Sequence, residues 1–339
     1  MEIGIITKQK LNTLITAAAK DAQFYAPING SNGIEYVEIT GDQPISYEYV
    51  NVKLSPKGLF FPQREVMCRF CGDTLKDVPV PEDKFIVFGG RPCDARSLLY
   101  LDRIFEDQSS QFADPYYITR RQNALLITLA CHEPAATCFC TTVGGSPTER
   151  EGSDILVSEL GEDLLFEACT EHGKRFMETY QEVFQQPTDA LMFAKEEKAK
   201  RAADALNKFG IDGIKEKLDQ IFEEEVWETI TNNCLGCGAC TYLCPTCHCF
   251  DITDETNGRG DGIRIRTWDS CQYPLFTKHA SGHNPRVNKK QRMRQRIMHK
   301  FSYTVENSDA IFCVGCGRCV LNCPVNLDIR EMLKTLNHV

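Results

Sequence analysis

The sequence predicts a chain of three parts: an α/β domain over residues 1–172, a helical connector over 173–230, and a mostly helical, cysteine-rich module over 231–339. Three observations point there. Short apolar runs alternate with amphipathic helical patterns up to residue 172, a stretch dominated by Ala, Glu, Lys and Leu follows, and eleven of the 18 cysteines crowd between Cys234 and Cys323. At 339 residues the chain has room for about two domains with buried cores of their own.

Residues 8–24 set Leu11, Leu14, Ile15, Ala18 and Ala19 on one helical face. EYVEIT and SYEYVNVKL have the aromatic and β-branched content of strands. PEDKFIVFGGRPCDARSLLYLDRIF reads as a strand, a Gly-Gly loop and a helix bearing Leu98, Leu99, Leu101, Ile104 and Phe105. Residues 124–130 form a second buried strand that ends at Cys131, and DILVSEL and DLLFEAC supply two more. Strands interleaved with helices imply a largely parallel sheet. Beyond Gly173, TDALMFAKEEKAKRAADALNKF and IKEKLDQIFEEEVWETI read as helices whose charges form a solvated face; Gly210 and Gly213 are stop signals between them, and Asp212 caps the second.

Composition narrows the function. Thirty-eight Lys and Arg against 47 Asp and Glu give a formal charge of -9, which excludes a surface that as a whole seeks nucleic acid or anionic lipid. No apolar run approaches the roughly 18 residues of a spanning helix, and MEIGIITKQK lacks the basic start and apolar core of a signal peptide, so a cytoplasmic chain is expected. Thiols stay reduced there, and metal ligation becomes the leading reading of the cysteines.

Residues 234–245 read CLGCGACTYLCP and residues 313–324 read CVGCGRCVLNCP. Both follow the run by which bacterial ferredoxins hold cubane iron-sulfur clusters: three closely spaced thiolates wrap one face, and a fourth Cys, before a Pro, ligates the other cluster. Gly236, Gly238, Gly315 and Gly317 let backbone amides approach sulfur. Crossed ligation gives one cluster Cys234, Cys237, Cys240 and Cys323, and the other Cys313, Cys316, Cys319 and Cys244. Structural zinc is the alternative, but zinc sites leave no reason for a third Cys two residues on. The last part is thus expected to be a ferredoxin-like dicluster domain, expanded by the long segment between Cys244 and Cys313.

Cys93, Cys131, Cys138 and Cys140 form a looser constellation. Cys93 and Cys131 each follow a predicted inner strand, so adjacent parallel strands would deliver both to the carboxyl edge of the sheet. From spacing alone, a third [4Fe-4S] cluster stands beside a zinc site or unconnected buried thiols.

The linked order SPKGLFFPQRE, GGRPCDAR, ACHEPAATCFC, CGACTYLCPTCHCFD, WDSC, GHNPR and CVGCGRCVLNCP resembles the iron-sulfur subunit family that includes the beta subunit of cytosolic sulfhydrogenases and the corresponding subunit of anaerobic sulfite reductase. The likeness runs from about residue 50 to the carboxyl end. It implies an electron-transfer subunit of a hetero-oligomer, working between a flavoprotein that handles NAD(P)H and a catalytic or bifurcating partner such as a hydrogenase, sulfite reductase or heterodisulfide-reductase-like subunit. The family pattern matches at Cys93, Cys131, Cys138 and Cys140, which favours the third cluster. Cys247, Cys249 and Cys271 also fit it, as ligands of a fourth cluster with His248 or as S–H donors. Cys68 and Cys71 depart from it; an additional metal or redox pair is the alternative, and helical spacing with buried thiols is the reading adopted for them.

Cys169 and the histidines at 132, 172, 279, 283 and 299 are read as structural, because no nucleophile, base and orienting group converge on them. Arg286, Lys289, Lys290, Arg292, Arg294, Arg296 and Lys300 make a basic stretch, read as a dock for an acidic subunit or a partner for the chain's own carboxylates, with Met293, Ile297 and Phe301 as an apolar stripe. No GxGxxG or GxxxxGK occurs, so no flavin or nicotinamide site is expected. The rival reading is a flavin-dependent oxidoreductase with its own cofactor site in the α/β domain.

Overall fold

The computed structural model describes residues 1–41, 43–106, 112–258 and 260–338. Their strands, in chain order, are β1 (Ile3–Thr7), β2 (Gln23–Gly30), β3 (Gly33–Ile39), β4 (Arg64–Cys71), β5 (Thr74–Asp77), β6 (Phe85–Gly90), β7 (Ala124–Leu129), β8 (Ile155–Leu160), β9 (Asp163–Ala168), β10 (Phe250–Thr256) and β11 (Asp261–Trp268). The chain divides into two units, one of residues 1–56, 81–208 and 314–316, the other of residues 57–80, 209–313 and 317–339.

The first unit is built on a seven-stranded sheet of order β1-β9-β8-β7-β6-β2-β3. Its centre, β2-β6-β7-β8, is parallel, whereas β3 joins one side and β9 and β1 the other in antiparallel pairing. The largely parallel sheet expected from sequence is therefore corrected to a mixed one. DILVSEL and DLLFEAC are joined only through Gly161 and Glu162, with Gly161 at φ 78°, and so short a link makes a hairpin rather than a crossover. SYEYVNVKL, expected as a strand, is irregular. It is held by Ser46 N–H to Pro27 O at 2.8 Å and the Tyr49 hydroxyl to Gly89 O at 2.6 Å. The Gly-Gly pair ends β6, where the register with β7 shifts. Gly89 has φ 86°, and a Cβ there would lie 2.8 Å from Tyr49 Oη, so only glycine lets that hydroxyl in.

Amphipathic periodicity places Leu11, Leu14 and Ile15 of helix Lys8–Ala18 against Phe24, Phe88, Ile127 and Phe166 of the sheet. Each such side chain contributes roughly 1.5–3 kcal/mol by leaving water. Helix Asp189–Asp204 starts at Thr188, whose hydroxyl accepts from Leu191 N–H, and is tied to the sheet by Lys195 to Glu167 at 3.0 Å and Lys198 to Glu159 O at 2.9 Å. Helices Ile214–Gln220 and Val226–Thr231 belong to the second unit, so the helical stretch after residue 173 is divided between the two.

The second unit carries a four-stranded antiparallel sheet, β10-β11-β4-β5, beside its helices. Cys68 and Cys71 lie on β4, which corrects the helical reading: REVMCRFC pairs with β11, and Cys71 is exposed. One face is sealed by the buried Arg266–Glu65 ion pair, with the guanidinium 4.9 Å from the centre of the Phe61 ring. Helix Lys289–Met298 opens with Asn288 and Gln291 capping each other's backbone, then widens into a π-helical turn at His299–Tyr303. Among the described residues no helix is long and apolar enough to cross a membrane.

Candidate iron-sulfur centres

Cys234, Cys237 and Cys240 of the first cysteine run line a cavity in the second unit together with Cys319 and Cys323 of the second. Met293, Ile297, Val325, Ile329 and Met332 supply an apolar lining. Two backbone amides point at sulfur: Gly236 N–H donates to Cys234 Sγ at 3.3 Å and Leu327 N–H to Cys323 Sγ at 3.2 Å. The loop can turn this tightly because Gly236 and Gly238 sit at φ 69° and 75°, and a Cβ on Gly238 would lie 2.8 Å from the Tyr273 ring. Burial pushes the Cys240 thiol up to about 11, so a metal taking this site displaces protons as it binds.

Cys244, the fourth cysteine of that run, points elsewhere. Lys300 Nζ donates to its Sγ at 3.3 Å, to Thr246 Oγ1 at 2.8 Å and to Phe312 O at 2.9 Å. Lys57 Nζ donates to the carbonyls of Cys244 and Cys247, both at 2.8 Å, and lies 4.1 Å from the centre of the Trp268 ring. Burial lowers Lys57 to about 8, against the pull of nearby thiols. Cys313, which opens the second run, is buried in the same unit.

In the first unit, Cys93, Cys131, Cys138 and Cys140 line one cavity, with Arg91, Asn51, Gly315 and Cys316. Cys93 lies in the first turn of helix Pro92–Phe105, just beyond β6, and Cys131 just beyond the neighbouring parallel strand β7. Both thus reach the carboxyl edge of the sheet, and a long helix starting at Pro92 turns its positive end toward Cys93. The buried Arg91 guanidinium fixes this edge by donating to Val50 O at 2.8 Å, Ala130 O at 2.9 Å and Tyr49 O. Burial, then the neighbouring Cys131 and Cys138, push Cys140 up to about 12.

Cys247, Cys249 and Cys271 are brought near the Cys244 region. Arg296 donates to Cys247 Sγ at 3.5 Å, and Cys249 hydrogen-bonds Cys271 through their side chains. His248 faces His299 edge-on, with ring centres 5.3 Å apart. Three of the seven residues of the basic stretch, Arg292, Arg296 and Lys300, are buried, and Arg294 pairs with Phe222 O and with Glu223, one of the chain's own carboxylates. Sequence reasoning allowed for the carboxylate pairing but not for the burial of those three, and it missed Lys57 altogether; the only available signal was KGLFFP, which it used for resemblance alone. Among the described residues no three His, Cys, Asp or Glu side chains close in on a point where a metal ion could sit. Cluster ligands instead grip separate corners of an inorganic core, and four thiols, apolar walls and N–H···S bonds fit such a group. Bound there, it would supply one-electron storage.

Paired cysteine runs around an apolar, amide-lined cavity define an iron-sulfur protein, and residues 233–327 match the family model of the 4Fe-4S dicluster domain. Two [4Fe-4S] clusters therefore belong to the carboxyl-terminal part. The chain is 32% identical over 316 residues to sulfhydrogenase 2 subunit beta of Pyrococcus furiosus, an alignment covering 93% of this chain and 91% of that protein. It belongs to the sulfhydrogenase beta-subunit family and is an iron-sulfur electron-transfer subunit.

Proposed function

We propose that this chain is the non-catalytic wire of a cytoplasmic multisubunit oxidoreductase. It carries single electrons between a flavoprotein that handles NAD(P)H and a hydrogenase, sulfite reductase or heterodisulfide-reductase-like partner. The relative's designation as one subunit of a sulfhydrogenase supports a hetero-oligomer. In this reading Cys234, Cys237, Cys240 and Cys323 hold one cluster, Cys313, Cys316, Cys319 and Cys244 a second, and Cys93, Cys131, Cys138 and Cys140 a third. Residues 1–172 carry the third site, 173–230 connect, and 231–339 form a mostly helical ferredoxin-like module.

The observation that carries the proposal is the convergence of Cys323 on the first run's thiols inside an apolar, amide-lined cavity. Burial, N–H···S bonds and nearby charge then set the potentials, which is the protein's contribution to the chemistry. Anaerobic purification with iron and acid-labile sulfide counts, followed by electron paramagnetic resonance of the reduced chain, is the test. About twelve irons per chain support three clusters, about eight remove the first-unit site, and a colourless chain without iron sinks the proposal.

A further inference from the structure

Lys57, Arg296 and Lys300 are each less than 5% exposed, at 3%, 4% and 4%. Among the described residues none of the three meets a carboxylate: their partners are carbonyls, the Thr246 hydroxyl, the Trp268 ring and the sulfurs of Cys244 and Cys247. An uncompensated buried cation costs several kcal/mol, so three together demand negative charge nearby. Four thiolates on a [4Fe-4S] core carry a net negative charge that grows by one on reduction, and no proton need follow. The cations stand where that charge would fall.

They are not shared evenly. Arg296 lines the cavity of Cys234, Cys237, Cys240 and Cys323 as well as reaching Cys247. Lys300 bonds Cys244 Sγ, and in the first cavity, beside Arg296, Cys234 Sγ and Cys323 Sγ receive backbone N–H donors. The π-helical turn His299–Tyr303 contains Lys300, and Thr246, which donates to Phe312 O at 2.7 Å, gives the ammonium a second fixed partner.

Resting on the ligand sets proposed above, we propose that Lys300 is a positioning residue for electron transfer. Its ammonium, held against Cys244, raises the reduction potential of the cluster that takes Cys244. A fixed positive charge at 3.3 Å in a dry site stabilises the extra electron more than a neutral amide does.

The test is potentiometric titration with dithionite, followed by electron paramagnetic resonance, on the full chain and on Lys300→Met and Lys300→Arg. With iron content equal to the parent, Lys300→Met is expected to lower one cluster midpoint and leave the others in place, and Lys300→Arg to restore it. All midpoints unmoved in iron-replete Lys300→Met would overturn the inference. A parent chain without iron is a different failure, that of the cluster reading itself. Should Lys300→Met not load, the parent labelled with ¹⁵Nζ-lysine decides: pulsed resonance is expected to show a lysine nitrogen coupled to one reduced cluster, and no such coupling overturns the assignment.

Discussion

The Cys138 thiol donates to the Cys316 carbonyl at 3.7 Å, and the Asn51 amide donates to the same oxygen at 2.9 Å. Phe139 N–H adds a bond to Gly315 O at 2.8 Å. ATCFC and CVGC, 178 residues apart between these two cysteines, are therefore laced together by backbone polar groups. With Cys138 deprotonated as a cluster ligand, as proposed, the thiol bond is lost and the Phe139 N–H to Gly315 O bond is the one that still joins these two segments.

Gly315 is the position on which that lacing depends. It sits at φ 62°, and a Cβ there would come within 2.6 Å of Cys140 Cα, where backbone has no room to give. The left-handed conformation costs roughly 1–2 kcal/mol for an L-residue, and overpacking adds roughly 1–3 kcal/mol. Gly315→Ala is expected to lose at least about 2 kcal/mol in anaerobic denaturant unfolding, and to bind less iron. Unchanged unfolding with full iron would show that the loop is looser than its packing implies.

Crossed ligation makes a prediction that crosses the sequence. Cys323→Ser is expected to abolish the same resonance signal as Cys234→Ser, although Cys323 belongs to the other run, because both line one cavity. Cys244→Ser should share its loss with Cys313→Ser. Pairing of Cys323 with Cys313 in the spectra would refute the crossed assignment.

Much of the site was legible because cluster ligands are read by spacing, and CLGCGACTYLCP shows its spacing openly. Cys93 and Cys131 were placed at the carboxyl edge because apolar runs end just before each. The rest depends on partners far away in sequence. REVMCRFC finds its ladder in β11, nearly 200 residues on, with Arg266 facing Glu65 across 201 residues, and nothing local reveals that pairing. Lys57 and Lys300 look like surface residues, since lysine is almost never buried without a compensating charge. Only the fold shows that thiols surround them.

The same long-range pairing invites a stability test. Arg266 and Glu65 are 3% and 5% exposed, so the ion pair is buried on both sides. Arg266→Met alone removes the cation that faces a buried carboxylate and is expected to cost roughly 3–5 kcal/mol. Arg266→Met with Glu65→Leu should recover most of that loss, measured by denaturant midpoint at constant slope. A double variant no more stable than the single one would place the cost in lost packing on Phe61 instead.

Acid should weaken the second unit through His248 and His299. Burial holds both imidazoles neutral, lowering His248 to about 4 and His299 to about 3, with Lys300 disfavouring charge on each. Above the ordinary histidine value of about 6.5 neither state binds these protons, and the neutral pair costs nothing. As pH falls below about 6.5 the unfolded chain takes protons that the folded chain refuses, so stability falls with pH down to about 3–4. Between pH of about 7.5 and 5.5 the loss amounts to roughly 1.4 kcal/mol per imidazole at most, less where solvent reaches the ring. Unfolding of the anaerobic protein at those two pH values is the measurement. His299→Leu is expected to flatten the dependence by up to the share of one imidazole, whereas a slope equal to the parent's would assign acid sensitivity to other groups.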